Sequence, residues 1–87
     1  MSFINTAETI LQTADLHLDH QNVDIRGKEK TYRYYPIIRE DGTAVGVLVI
    51  EDYDQSVSVD IYPNSTERER AAMDLVKATF DETDQPM

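Results

Sequence analysis

The chain has 87 residues, no cysteine and 40% hydrophobic side chains, and its 17 acidic and 8 basic residues give a net charge of −9. This composition is typical of one globular domain with a modest core, and it excludes disulfides and thiolate metal sites. No apolar run reaches the roughly 20 residues of a membrane span and the N-terminus has no signal-peptide pattern, so we expect a cytoplasmic protein that binds no membrane.

Apolar residues recur every three or four positions from residue 2 to about residue 18, which predicts an amphipathic first helix. The stripe consists of Phe3, Ala7, Ile10, Leu11, Ala14 and Leu18. Leu16 would lie on the opposite side of this helix. Two interpretations remain open: the helix ends before Leu16 and the side chain turns inward, or Leu16 contacts a partner.

Both histidines of the chain, His17 and His20, lie near the predicted end of this helix beside Asp15 and Asp19. Two histidines three positions apart on a helix could share one metal ion. A hydrolytic metal centre needs a third protein ligand, and no motif supplies it. We therefore predict a solvated helix end and no metal site.

The charge changes sign after the histidines. Five basic residues and one acidic residue lie between positions 26 and 39, so the rest of the chain is strongly acidic. Basic and aromatic residues alternate from Arg26 to Tyr35, a pattern that also occurs in single-stranded nucleic acid binding. An edge strand rich in lysine and tyrosine has the same pattern, and the overall negative charge opposes nucleic acid binding.

Three strands are predicted after residue 30, because this part of the chain is rich in β-branched and aromatic residues. Gly42 supplies the positive φ of a tight hairpin between the first two strands. Val23 and Ile25 predict a short fourth edge strand over residues 23–25. We expect an antiparallel meander with the second strand in the middle. The three strands span about 30–39, 44–51 and 56–62.

The middle strand is apolar on both faces, which is typical of a central strand covered on two sides. Val45, Val47 and Val49 are expected on one face, and Leu48 and Ile50 on the other. The third strand alternates apolar and polar residues, so one of its faces is expected to be exposed to solvent. We therefore predict that one partly apolar sheet face associates with a partner or a second copy. Its candidate residues are Tyr34, Tyr35, Tyr62 and Leu16.

A second amphipathic helix is predicted up to Phe80, and Thr66 with Glu69 has the spacing of a capping box at its start. Glu69 is expected in water and Met73 at the edge of the buried stripe. The acidic residues 81–87 predict a flexible tail. The fold class is therefore α+β, with one domain over residues 1–80. The predicted buried stripe is Ala72, Leu75, Val76, Thr79 and Phe80.

The sequence contains no arrangement typical of catalysis. It has no glycine-rich phosphate loop, nucleophile elbow or zinc-helix motif, and its paired carboxylates lie in predicted turns. A hydrated turn does not shift a carboxyl pKa toward neutrality. We expect neither an enzyme nor a cofactor.

The favoured function is an acidic protein-binding module that occupies a basic surface of a partner. Acidic residues are expected around the two hairpin connections, where they can imitate nucleic acid phosphates. In size and charge the chain is similar to small phage-encoded inhibitors of restriction or CRISPR nucleases. The candidate binding residues are Glu40, Asp41, Glu51, Asp52 and Asp54.

The alternative function is a chaperone-like or structural homodimer that uses the open sheet face. The order of helix, three strands and helix, together with the low pI, resembles secretion-chaperone-type domains in topology. The two functions predict different complexes, because an acidic contact weakens with salt and an apolar contact does not.

Overall fold

The computed structural model describes residues 3–51 and 56–83. The fold is α+β, with an N-terminal helix, an antiparallel sheet and a C-terminal helix, as predicted. The predicted three-stranded meander is part of this sheet. In chain order the elements are α1 (Phe3–Gln12), β1 (Leu16–Leu18), β2 (Asp24–Arg26), β3 (Tyr32–Arg39), β4 (Ala44–Glu51), β5 (Ser56–Ile61) and α2 (Glu67–Thr83).

The sheet has five strands within the described residues, and β4 lies between β3 and β5. β1 and β2 both pair with the other side of β3, at its opposite ends. β2 is the predicted fourth strand, shifted by one residue. β1 lies where the sequence predicted the end of a helix.

The first helix is shorter than predicted, because the chain tightens into a turn after Gln12. The N–H groups of Thr13, Ala14 and Asp15 each donate to a carbonyl three residues earlier. Asp15 then has a φ of 58°, a left-handed conformation that ends a helix. The prediction of a helix up to residue 18 is wrong. The interpretation in which Leu16 turns inward is confirmed, since its side chain is buried on β1.

Both helices pack against the same face of the sheet, α1 against β1 and α2 against β5. The core lies between the two layers and includes the phenyl rings of Phe3 and Phe80, which meet edge to face at 5.1 Å. The fully buried large side chains are Leu11, Leu16, Ile37, Val45, Leu48, Val57, Met73 and Val76.

A β-bulge in β4 changes which side chains face this core. Ile37 pairs with Gly46 and Ile38 pairs with Ala44, so Val45 is the extra residue. Val45 therefore turns toward the core together with Gly46. The prediction that Val45 shares a face with Val47 and Val49 is wrong, because simple alternation does not hold across a bulge.

Gly46 decides how α2 docks on the sheet. A Cβ atom on Gly46 would lie 2.6 Å from the carbonyl oxygen of Asp60 and 2.7 Å from the sulfur of Met73. The missing side chain thus lets Met73 reach the β4 backbone, where it is fully buried. Leu75 is instead 52% exposed, so its predicted place in the buried stripe is wrong.

The C-terminal helix is longer than predicted. α2 continues to Thr83, and Lys77 forms an ion pair with Asp81 one turn later, at 2.9 Å between Nζ and Oδ1. This i,i+4 pair stabilises helical geometry beyond Phe80. α2 thus ends three residues beyond the predicted end of the helix at Phe80, and residues 84–87 lie outside the described part of the chain.

Candidate functional site

The face of the sheet that points away from the helices carries a continuous group of apolar side chains. Tyr34 pairs with Val49 and Pro36 pairs with Val47, and all four side chains are half-buried. The described helices pack on the other face, so only neighbouring strands shield this group. We call it the open face and define it as Tyr32, Tyr34, Pro36, Ile38, Val47, Val49 and Tyr62.

A shallow groove of about 300 Å³ crosses the open face. Its walls include the rings of Tyr34 and Tyr62, with Val47 between them and Asp24 and Arg26 at one end. The Arg26 guanidinium lies 5.9 Å from the centre of the Tyr34 ring and also pairs with Asp24 at 2.7 Å. This end of the groove therefore offers a balanced pair of charges beside an aromatic surface.

The structure divides the residues predicted for this face into two groups. Tyr34 is half-buried on the open face, and Tyr62 there is 40% exposed. Tyr35 is 6% exposed and Leu16 is 1% exposed, and both lie in the core under the helices. Tyr35 and Leu16 are thus unable to line an outer surface. The sequence did not identify Val47 as a residue of this surface, although Val47 pairs with Pro36 across the predicted hairpin.

The alternating basic and aromatic residues are likewise divided between the two faces of β3. Tyr32 and Tyr34 lie on the open face with Arg26, and the two tyrosine rings stack at 6.4 Å. Arg33 and Tyr35 point to the other face, since side chains alternate along a strand. The segment therefore does not present all its basic and aromatic groups on one surface.

The predicted acidic residues are also separated. Glu40 and Asp41 lie in the turn before β4, whereas Glu51 is its last residue. Seven strand rises of about 3.4 Å place these ends more than about 20 Å apart. Lys30 pairs with Glu51 at 2.9 Å, so the basic segment faces acidic residues at that end. The other two members of the set, Asp52 and Asp54, lie outside the described residues.

The two turn acids border a second depression of about 420 Å³, which we call the turn-end groove. Two ion pairs, Arg39 with Glu69 and Arg68 with Asp15, lie in its lining, and the opposite charges cancel within each pair. Glu40 and Asp41 then give the groove a net negative charge. The lining consists of Ala14, Asp15, Arg39, Glu40, Asp41, Thr66, Arg68 and Glu69.

The Asp41 carboxylate has a structural role within the hairpin. It accepts a hydrogen bond from the N–H of Thr43 at 2.9 Å, while Gly42 has the predicted positive φ, 90°. The Thr43 N–H and hydroxyl both lower the pKa of Asp41, and the nearby Arg39 charge lowers it further. Asp41 therefore keeps its negative charge well into the acid range.

Glu69 ties the hairpin to the start of α2. The Arg39 guanidinium donates two hydrogen bonds to its carboxylate, at 2.7 and 2.9 Å, and the Thr66 N–H donates a third at 2.9 Å. These bonds, the Arg39 pair above all, lower the pKa of Glu69 to about 2, although burial opposes the shift. The Thr66 hydroxyl completes the predicted capping box. The expectation that Glu69 faces water is wrong, since it is 7% exposed.

The two histidines border one depression but have different neighbours. His17 lies on the open side of β1 opposite Ile38, whereas His20 pairs with Glu8 of α1 and meets the Tyr35 ring edge-on at 5.7 Å. Among the residues that the structure describes, no three His, Cys, Asp or Glu side chains are grouped to hold a metal ion. The neighbouring Asp19 carboxylate accepts hydrogen bonds from the Gln21 and Asn22 N–H groups instead.

No protein-family model, curated protein or solved structure matches this chain. Within residues 3–51 and 56–83, none of the helices combines the length and the apolar character needed to cross a membrane.

Proposed function

We propose that this protein is a cytoplasmic, non-enzymatic protein-binding module and that the open face is its binding surface. One observation carries the proposal: seven apolar or aromatic side chains share a sheet face that neither described helix covers. Contiguous exposed apolar surface on a small domain is typical of protein–protein contact.

The composition of the open face favours a protein partner over a small molecule. Its groove is shallow, whereas small-molecule sites enclose most of their ligand. Tyrosines are enriched at protein interfaces because the ring buries apolar area while the hydroxyl keeps a hydrogen-bond partner. The partner presents an apolar surface of its own, as in chaperone-like binding of a protein segment.

The charge at the border of the open face supports the same partner. Asp24 and Arg26 form an ion pair, as do Lys30 and Glu51, so these four charges cancel at one border of the open face. Asp60 adds a negative charge beside Val47 on β5. A partner with an apolar surface thus meets little long-range repulsion here. The complex is expected to persist at high salt, because apolar burial is not screened.

A second candidate function uses the turn-end groove. Its net negative charge suits a lysine or arginine side chain of a basic, nucleic-acid-binding partner, which is the inhibitor function of a phage anti-defence protein. Such a complex weakens with salt. The variant Glu40→Lys/Asp41→Asn tests this second function, because the summed charge of the two positions changes from negative to positive. The amide oxygen of the new asparagine can still accept the hydrogen bond from the Thr43 N–H.

The open face is tested by affinity capture from the native host with wild-type and variant bait. The variant Tyr34→Ser/Val47→Thr removes apolar area while keeping residues that strands tolerate. We expect wild-type bait to retain one partner at low and high salt. The variant should recover at least about tenfold less of that partner than wild type does.

The matched control is Ile25→Thr/Leu75→Gln, which removes the exposed apolar side chains at 62% and 52% exposure outside the open face. This control should recover the partner as wild type does. Equal recovery by the open-face variant would refute the open face as the binding surface. If the partner is lost at low salt only with the Glu40→Lys/Asp41→Asn bait, binding is assigned to the turn-end groove.

A further inference from the structure

The sheet ends on one side in a long strand with a single neighbour. β5 has six residues and pairs only with β4 among the described strands. The opposite side of the sheet consists of β1 and β2, two strands of three residues each that are separated by a loop. The backbone groups available for pairing with another strand are therefore concentrated at β5.

The register shows which backbone groups of β5 point outward. The Tyr62 N–H donates to the Val45 carbonyl at 2.9 Å, and Ile61 pairs with Gly46. In an antiparallel ladder, hydrogen-bonded pairs alternate with pairs that are not hydrogen-bonded. The N–H and C=O groups of Val57, Val59 and Ile61 therefore point away from β4, toward the free edge.

The sequence of β5 has few of the features that protect an edge strand. Ser56–Ile61 contains no lysine, arginine, proline or glycine, and Asp60 is its one charged residue. Natural edge strands are usually shortened, charged or interrupted to prevent pairing with another chain. The edge formed by β5 is thus suited to accept a further strand.

A second β5 fits this edge without opposing like charges. If two copies pair antiparallel with the two-fold axis at Ser58, Asp60 of each copy lies opposite Ser56 of the other. If the axis lies at Val59 instead, Asp60 of each copy lies opposite Ser58 of the other. In the register about Ser58, Val57 faces Val59 of the other copy. In the register about Val59, Val57 faces Ile61 and the two Val59 side chains face each other. Cross-strand pairs of this kind favour association, whereas directly opposed carboxylates would prevent it.

The helix above β5 carries a matching pattern of charge. Arg68 pairs with Asp15 at 3.1 Å, so that flank of α2 faces the end of α1. Because α1 contacts β1 and α2 contacts β5, the opposite flank of α2 lies toward the β5 edge. At 100° per residue this flank holds four charged residues, which we call the α2 stripe. They are Arg70, Asp74, Lys77 and Asp81.

The α2 stripe is complementary to itself. Its signs run plus, minus, plus, minus along the helix, and all four side chains reach solvent, Lys77 being half-buried. When two such helices lie antiparallel about a two-fold axis between Asp74 and Lys77, Arg70 of one copy meets Asp81 of the other. Asp74 then meets Lys77, so every contact joins opposite charges.

We propose that β5 is a self-association edge for a second copy of this chain. Two copies pair β5 with β5 antiparallel across a two-fold axis, which joins two five-stranded sheets and sets the two α2 stripes side by side. Of the open face only Tyr62, next to the end of β5, borders this contact, so the dimer does not require the proposed function.

A charge-swap experiment tests the proposal by sedimentation equilibrium. Arg70→Glu/Lys77→Glu makes the α2 stripe wholly acidic, and Asp74→Lys/Asp81→Lys makes it wholly basic. We expect wild type to form dimers and each variant alone to associate at least about tenfold more weakly. An equimolar mixture of the two variants should restore dimers, because each stripe then meets its opposite.

The matched control is Lys28→Glu/Lys30→Glu, which makes the same change of net charge in the β2–β3 connection. This control and Tyr34→Ser/Val47→Thr should both remain dimeric. A wild-type chain that stays monomeric at every concentration, or a mixture that stays monomeric although both variants show the wild-type circular dichroism spectrum, would overturn the proposal.

Hydrogen exchange measured by NMR locates the contact. In the dimer the outward N–H groups of Val57, Val59 and Ile61 should exchange at least about tenfold more slowly than in the acidic-stripe variant. The Ser58 and Asp60 N–H groups, which face β4, serve as internal references. A dimer whose three outward amides exchange as fast as in the monomer would show that the copies meet elsewhere.

Discussion

Arg39 and Glu69 form an ion pair that connects three parts of the fold. Glu69 accepts hydrogen bonds from the Arg39 side chain and from the Thr66 N–H, and Arg39 also donates to the Asn64 carbonyl at 3.0 Å. One carboxylate thus joins the β3–β4 hairpin, the loop after β5 and the first turn of α2. A largely buried charge with several partners is costly to remove, because the remaining partner is left uncompensated.

Replacing Glu69 by Gln should lower the free energy of unfolding by about 1–3 kcal/mol, since the amide cannot accept both Arg39 bonds as a charged group does. Chemical denaturation measures this change. The exposed neighbour Glu67 is the control, and Glu67→Gln should change stability by less than about 0.5 kcal/mol. Equal effects of the two substitutions would contradict the role assigned to Glu69.

The same contact predicts a pH dependence. Folding lowers the pKa of Glu69 from 4.5 to about 2, so its contribution is present above about pH 4.5 and is lost as the pH falls toward 2. The difference in thermal midpoint between wild type and Glu69→Gln should therefore shrink between pH 5 and about pH 2. A difference that stays constant over this range would show that the Glu69 charge is not involved.

At the scale of elements, the segment after α1 shows how two periodicities compete. Leu11, Ala14 and Leu18 fit a helical spacing, whereas Leu16 and Leu18 fit the spacing of a strand. The left-handed Asp15 ends the helix and starts the strand, so Leu16 and Leu18 both enter the core. In α2 the helical spacing alone does not decide which apolar residues face the core. Met73 packs against Gly46 and is buried, whereas Leu75 is half exposed.

The same substitution at two leucines tests this assignment. Leu16→Ala should cost about 2–5 kcal/mol, because a fully buried leucine leaves a cavity. Leu75→Ala should cost less than about 1 kcal/mol, because Leu75 is half exposed and alanine favours a helix. Urea denaturation of both variants measures the two values. A larger loss at Leu75 than at Leu16 would mean that the core is arranged differently.

At the scale of the whole molecule, the fold places part of the basic segment against acidic residues but leaves a large excess of negative charge. Lys30 meets Glu51 and Arg26 meets Asp24 at one end, while Glu40 and Asp41 are exposed at the other. A net charge of −9 on 87 residues repels itself and destabilises the compact state. The border of the open face and the α2 stripe carry charges of both signs, whereas the turn-end groove is net acidic.

Salt should therefore stabilise the protein near neutral pH. Raising the ionic strength from about 0.01 M to about 0.15 M shortens the Debye length from about 30 to about 8 Å and screens the repulsion among the 17 acidic residues. The thermal midpoint, measured by calorimetry at low protein concentration, should rise by a few degrees. Near the pI of about 4.4 the net charge vanishes, and the gain should disappear. A fall in the midpoint at neutral pH would contradict this account.

The sequence alone determined the features that depend on neighbours along the chain. The hairpin at Gly42, the capping box of Thr66 and Glu69, the α+β class and the central position of β4 all follow from local spacing and turn chemistry. Each of these signals acts over a few residues, so no distant contact is needed to read it.

The tertiary structure alone decided which side chains face out. The bulge at Val45 turned that residue inward, and packing beneath the helices removed Tyr35 and Leu16 from the candidate surface. Side-chain direction along a strand reverses with a shift of one residue, and burial depends on elements far away in sequence. The open face consequently exists only once the strands have paired, because its residues come from separate segments of the chain.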